Sequence, residues 1–161
     1  NGLSSHTIAA ASIRYYLLRF ALQTEVEFDL KQATEISGNT GVYLLYSYAR
    51  ALSVLNKAQE AGVTPSVPAR FPVMEKAEHA LLRHISTWHG TLYAAGRDLS
   101  PSAICNFTYE LCSLFNNFYS ACPILKSTDE VLQFRVWLTS LFKNTLGEAL
   151  EVLGLPTPSR M

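Results

Sequence analysis

Three histidines, His79, His84 and His89, recur at intervals of five residues. Two metal ligands on one helix want an interval of four, which returns the side chain to nearly the same face. An interval of five swings it about 140° away, so these histidines are expected at the solvent edge instead of around a metal. Cys105, Cys112 and Cys122 are an odd set without a CxxC spacing. They cannot pair off completely within one chain, and reduced thiols of an intracellular protein are expected, with Cys105 and Cys112 as small core residues on one face. Glu75 with Glu78, and Glu148 with Glu151, lie near the two ends of helical patterns and read as solvated carboxylates. No phosphate-cradling glycine loop and no nucleophile elbow is present. No catalytic set emerges, and the chain by itself is expected to be non-catalytic, without a metal or cofactor of its own.

The tyrosines offer different chemistry. Tyr43, Tyr46 and Tyr48 are separated by steps of three and two, so they cannot all face one core and at least one phenol should reach solvent. Arg50 follows Tyr46 by four residues, on the same helical face. A base can stack on such a ring while the guanidinium holds a neighbouring phosphate. The plainer role is a tyrosine that rims the core with its hydroxyl wet. A second cluster is Asn116, Asn117, Phe118 and Tyr119. Phe115 and Phe118 continue an inward stripe, which leaves Tyr119 and the two amides towards the edge, where amides can read base edges.

The elements that must carry these groups are helical nearly throughout. Ile8, Ala11, Tyr15, Leu18 and Leu22 form a first amphipathic stripe, with Ser4, Ser5 and Thr7 as capping hydroxyls ahead of it. A short helix is expected over residues 29–37 with Asp29 as its cap, then a breaker at Gly38-Asn39-Thr40-Gly41. Residues 42–61 read as a long helix closed by Gly62. Pro65, Pro68 and Pro72 make the next stretch a loop. One helix is expected over 74–95, another from the Ser100 cap and Pro101 to Pro123. Ser127-Thr128-Asp129-Glu130 has the pattern of a capping box ahead of a last helix that ends at Gly154. Asn106-Phe107-Thr108 matches a glycosylation acceptor by chance, inside a helical apolar pattern. No segment alternates as a strand does. The fold class is all-α, a bundle of five to six helices in one domain over residues 1–161.

At 161 residues and 48% hydrophobic content, the chain can bury a core and is not disordered. Thirteen basic and thirteen acidic residues cancel, so net charge lends nucleic-acid binding no support, though a local stripe can still be basic. No apolar run approaches the roughly 18–20 residues of a membrane span, and there is no signal-peptide pattern. The chain begins at Asn1 in place of Met, and a fragment of a larger protein is expected.

IRYYLLR at 13–19, GNTGVYLLYSYAR at 38–50, LFNNFYSACPIL at 114–125 and the closing SRM occur in an order that resembles the C-terminal anticodon-binding domain of arginyl-tRNA synthetases. The resemblance implies a helical bundle that receives the anticodon stem-loop of arginine tRNA. Carried over position by position, it implies Tyr46, Tyr119 and Met161 near the anticodon loop. Arg50, Asn116 and Arg160 join them from their chemistry and their place in the motifs. Ser47, Tyr48 and Gly41 depart from the family pattern, where alanine, histidine and proline are frequent. The resemblance further implies a parent arginine–tRNA ligase, cytoplasmic or organellar, whose separate catalytic domain uses ATP with Mg and is this chain's partner. Two other readings stay open: a stand-alone anticodon-binding-like adaptor, and a helical interaction module with no RNA role.

Overall fold

The computed structural model describes residues 2–159. Among them seven helices form: α1 (Ser5–Leu18), α2 (Leu30–Thr34), α3 (Gly41–Glu60), α4 (Lys76–Ser86), α5 (Trp88–Arg97), α6 (Pro101–Ala121) and α7 (Asp129–Val152). The expected all-α bundle is what the chain adopts, and no strand occurs among the described residues. The helix expected over 74–95 is divided at Thr87. Ser86 and Thr87 turn their hydroxyls back onto the carbonyls of Arg83 and His84, offering those acceptors a partner other than the next helical N–H.

Caps set the boundaries. Ser4 accepts from the Thr7 N–H, Asp29 from Lys31 and Gln32, and Thr40 from Tyr43. The expected box ahead of α7 does not form. Ser127 instead donates to the Pro123 carbonyl and accepts from Arg135, so its hydroxyl staples the linker instead of the helix. Gly62 and Gly154 take φ of +79° and +67° just past α3 and α7. The Val63 and Leu155 N–H groups then reach back to Ala58 and Leu150 at 2.9 and 2.8 Å, a closure that side chains with a Cβ resist.

Helix α6 is the spine, packed against α1, α3, α4, α5 and α7. Its Phe115 stacks flat on Phe142 of α7 with centroids 3.9 Å apart, and Phe118, Phe134, Leu44, Leu45, Leu81 and Leu150 fill the space around them. Gly41 brings α3 onto α1. A Cβ there would lie 3.1 Å from the Ala11 carbonyl oxygen and the Ser12 Cα.

Glu78 is not a solvated carboxylate. It is 1% exposed. One oxygen accepts the Glu75 N–H at 2.7 Å, completing a capping box at the start of α4, and the other accepts Arg135 Nε from α7. The Arg135 Nη1 group reaches the Pro123 carbonyl and Ser127. This buried pair therefore ties α4, α7 and the 122–128 linker together. His84 also departs from expectation: it is half-buried, stacked on Phe107 at 4.4 Å with a ring nitrogen 3.0 Å from that residue's carbonyl. His79 and His89 are exposed as expected. Thr108 is buried and donates to Ile104, which removes the glycosylation match.

All three cysteines are buried and unpaired. Burial pushes the Cys105 thiol from 9.0 up to about 12 and raises Cys112 as well. In the unfolded chain these thiols ionise near pH 9, while the folded chain keeps them protonated. Above that pH the unfolded state has lost protons that the folded state retains, so stability falls as pH rises. Urea unfolding is expected to show a lower midpoint at about pH 10 than at about pH 8. An unchanged midpoint would mean that the thiols ionise freely in the fold.

Candidate nucleic-acid interface

Helix α3 presents Tyr46, Arg50, Ser53 and Lys57 at steps of four, three and four, one polar stripe along a helix that buries Leu44, Leu45, Ala51, Val54 and Ala58. Across from it run the end of α6, with Tyr119, and the linker residues Pro123 to Lys126. Ile124 is buried and pins that linker. Between these walls lies a groove of about 860 Å³. Three cations line it, Arg50, Lys57 and Lys126, and among the described residues no Asp or Glu does.

Arg50 organises the aromatic end. Its Cζ lies 4.6 Å from the centroid of the Tyr46 ring and 5.0 Å from that of Tyr119, so one guanidinium holds both rings by cation–π attraction. Nη2 donates to the Tyr46 hydroxyl oxygen at 2.9 Å. That phenol therefore accepts within the protein and keeps its own proton for a ligand. Tyr46 is 41% exposed and Tyr119 is 42% exposed. These are the outward phenols, while Tyr43 and Tyr48 are half-buried.

Asn116 sits beneath, and its amide is engaged inward. The Oδ1 atom accepts Arg50 Nη1, while Nδ2 donates to the Tyr43 hydroxyl and to Ser47 Oγ, both at 3.0 Å. Ser47 in turn donates to the Tyr43 carbonyl at 2.8 Å, so it can only accept from the amide. A flipped amide would point its hydrogens at a guanidinium, which has no acceptor. Asn116 thus positions Arg50 and has no donor left for a base edge. Ser47 supplies one of the acceptors that fix it.

Of the residues expected from sequence, Tyr46, Arg50, Asn116 and Tyr119 come together at one end of the groove. Arg160 and Met161 lie outside the described residues. Ser159 lines the groove, and the tail leading to it packs on the bundle through buried Leu155 and Pro158. Lys57 and Lys126 were not anticipated. The signal for Lys57 was available, since it continues the Tyr46–Arg50 stripe by two helical turns; Lys126 had none, because a linker position carries no period. No cluster of potential metal ligands occurs among the described residues, and no helix there is long and apolar enough to cross a membrane.

The bundle is of the type carried by solved arginyl-tRNA synthetases. The Thermus thermophilus enzyme superposes with a TM-score of 0.88 at 24% identity, over 96% of this chain and 27% of that one. The Plasmodium falciparum enzyme gives 0.80 at 21% identity, over 98% and 28%. At that level of identity the likeness is one of fold. In sequence, the profile of the DALR anticodon binding domain matches residues 44–161, and the chain belongs to that family. An arginine–tRNA ligase of Bacteroides thetaiotaomicron is 32% identical over 157 residues, and one of Streptomyces coelicolor is 34% identical over 157. Each match takes in 96% of this chain, which spans about a quarter (26%) of the length of either relative.

Proposed function

We propose that this chain is the anticodon-binding domain of an arginine–tRNA ligase, forming its C-terminal part over residues 1–161 and receiving the anticodon loop of arginine tRNA in the α3–α6 groove. The carrying observation is the pair of half-exposed rings, Tyr46 and Tyr119, held on a shared guanidinium in a groove whose charged lining, among the described residues, is Arg50, Lys57 and Lys126. Loop bases stack on the open faces of the two rings. The Tyr46 hydroxyl offers a proton to a base edge or a sugar. Arg50 keeps donors free for a phosphate, and Asn116 acts through Arg50. Arg160 and Met161, the next residues in the sequence after Ser159, join the set as further contacts to the same loop. Arginine activation with ATP and Mg belongs to a separate catalytic domain, with which this domain works in the cytoplasm. This chain supplies recognition and holds no reacting group.

Titration of a labelled arginine-tRNA anticodon stem-loop with the 161-residue chain tests the reading. The expected Kd is around 10⁻⁶–10⁻⁴ M at physiological salt, weakening steeply as salt rises. Replacing the loop bases should weaken binding further at fixed salt. Binding that ignores the loop sequence would overturn anticodon recognition, and no binding at any salt would overturn the RNA role.

A further inference from the structure

A second furrow runs between α4 and α6 and opens from the first. Two stretches of about 610 and 430 Å³ share Lys76, Ala80 and Leu114 in their walls, and the larger meets the tyrosine groove at Pro123, which lines both. Lys76, His79 and Arg83 lie along it at steps of three and four, all exposed on one face of α4. Lys76 and Arg83 are about 10 Å apart along the axis by helix geometry. Arg135 stands at the junction.

Charge is segregated onto this surface. Of the thirteen Lys and Arg residues of the chain, six line the groove and furrow: Arg50, Lys57, Lys76, Arg83, Lys126 and Arg135. Of the thirteen acidic residues, only Glu75 does. Among the described residues the ion pairs are Arg97–Asp98 and Glu78–Arg135, so Lys57, Lys76, Arg83 and Lys126 are bound to no carboxylate. A chain of zero net charge thus gathers unpaired cations along both the groove and the furrow, which meet at Pro123 beside the ion-paired Arg135, and such a surface suits a polyanion.

The groove and the furrow differ in what they can read. The groove holds tyrosine rings for unstacked bases, whereas the furrow has no Phe, Tyr or Trp in its walls. Its rings are the imidazoles of His79 and of His84, the latter already stacked on Phe107, and a wall dominated by cations suits a duplex, which hides its bases and presents its phosphates. From this juxtaposition of Lys76, His79 and Arg83 with the tyrosine groove, we infer that the α4–α6 furrow carries the phosphate backbone of the RNA stem whose loop the groove holds. The inference rests on the RNA reading given above and adds a second contact region to it.

Two RNA hairpins with the same loop, one with a full stem and one with a minimal stem, separate the outcomes. Each duplex phosphate contact contributes about 0.9 to the slope of log affinity against log salt. The double variant Lys76→Gln/Arg83→Gln should lower that slope by roughly 1.8 on the full-stem hairpin. From about 50 to 200 mM salt, its affinity should then fall roughly tenfold less than that of the unsubstituted chain. On the minimal hairpin the variant should bind as the unsubstituted chain does. Lys31→Gln, on α2 and outside both furrows, should leave both slopes in place. An unchanged slope with the full stem, where the unsubstituted chain binds both hairpins, overturns the furrow assignment alone. An equal loss with Lys31→Gln also overturns it, because general charge would then explain the effect. Failure of the unsubstituted chain to bind either hairpin removes the RNA reading itself, and the furrow assignment with it.

Discussion

Glu78→Ala is expected to destabilise the domain by about 3–5 kcal/mol, the usual cost of breaking a buried ion pair from one side. The substitution leaves the Arg135 guanidinium, whose side chain is 11% exposed, without its carboxylate and frees the Glu75 N–H at the start of α4. Replacing both partners with apolar residues of similar volume should recover much of the loss, because no charge is then left buried. Urea unfolding would show a lower midpoint for Glu78→Ala at an unchanged m-value. A midpoint shift worth under about 1 kcal/mol would mean that water reaches the pair, as at a surface salt bridge. The effect should also reach the groove. Arg135 holds the Pro123 carbonyl and Ser127, so its linker wall, Lys126 included, loses an anchor when the pair is broken.

Tyr119→Ala should cost about 1–3 kcal/mol of tRNA binding, the range for loss of one base–aromatic stack. Tyr119→Phe should cost much less, because the π-face remains and the Arg50 cation still lies over it. Binding constants for the two variants, set beside their melting temperatures, decide the role. Two unchanged affinities with a lower melting temperature for Ala alone would make Tyr119 a rim residue leaning on Phe115, whose ring centroid is 6.3 Å away.

Periodicity made the helices legible, because a bundle is built from local pattern and local caps. Asp29 and Thr40 start elements with their own side-chain oxygens, and Pro101 and the glycines at 62 and 154 start or stop them through backbone preference. What escaped prediction depends on partners distant in the chain. Glu78 looks solvated until Arg135 arrives from 57 residues away, and His84 looks peripheral until Phe107 slides under it. The break at Thr87 is local, but it turns on where two hydroxyls point, which no hydrophobic period records. The site divides in the same way. Tyr46 and Arg50 share a face by counting, and Phe115 and Phe118 fix Tyr119 at the edge. That Asn116 faces inward could not be counted, since Tyr43 and Ser47 draw it there from another helix.

The bond between Arg50 and Asn116 joins residues 66 positions apart, and this sets an order of events on the ribosome. Translation at about 5–20 residues per second leaves α3 waiting roughly 3–13 s for its partner to be made. During that interval Tyr43 and Ser47 lack the amide that fixes them, and Tyr46 has no companion ring. A nascent chain that stalls before α6 emerges therefore exposes an unfinished aromatic face, with Tyr46 and Arg50 lacking the second ring and the amide that complete their cluster. The aromatic cluster is completed late in synthesis, with the segment around Asn116 and Tyr119.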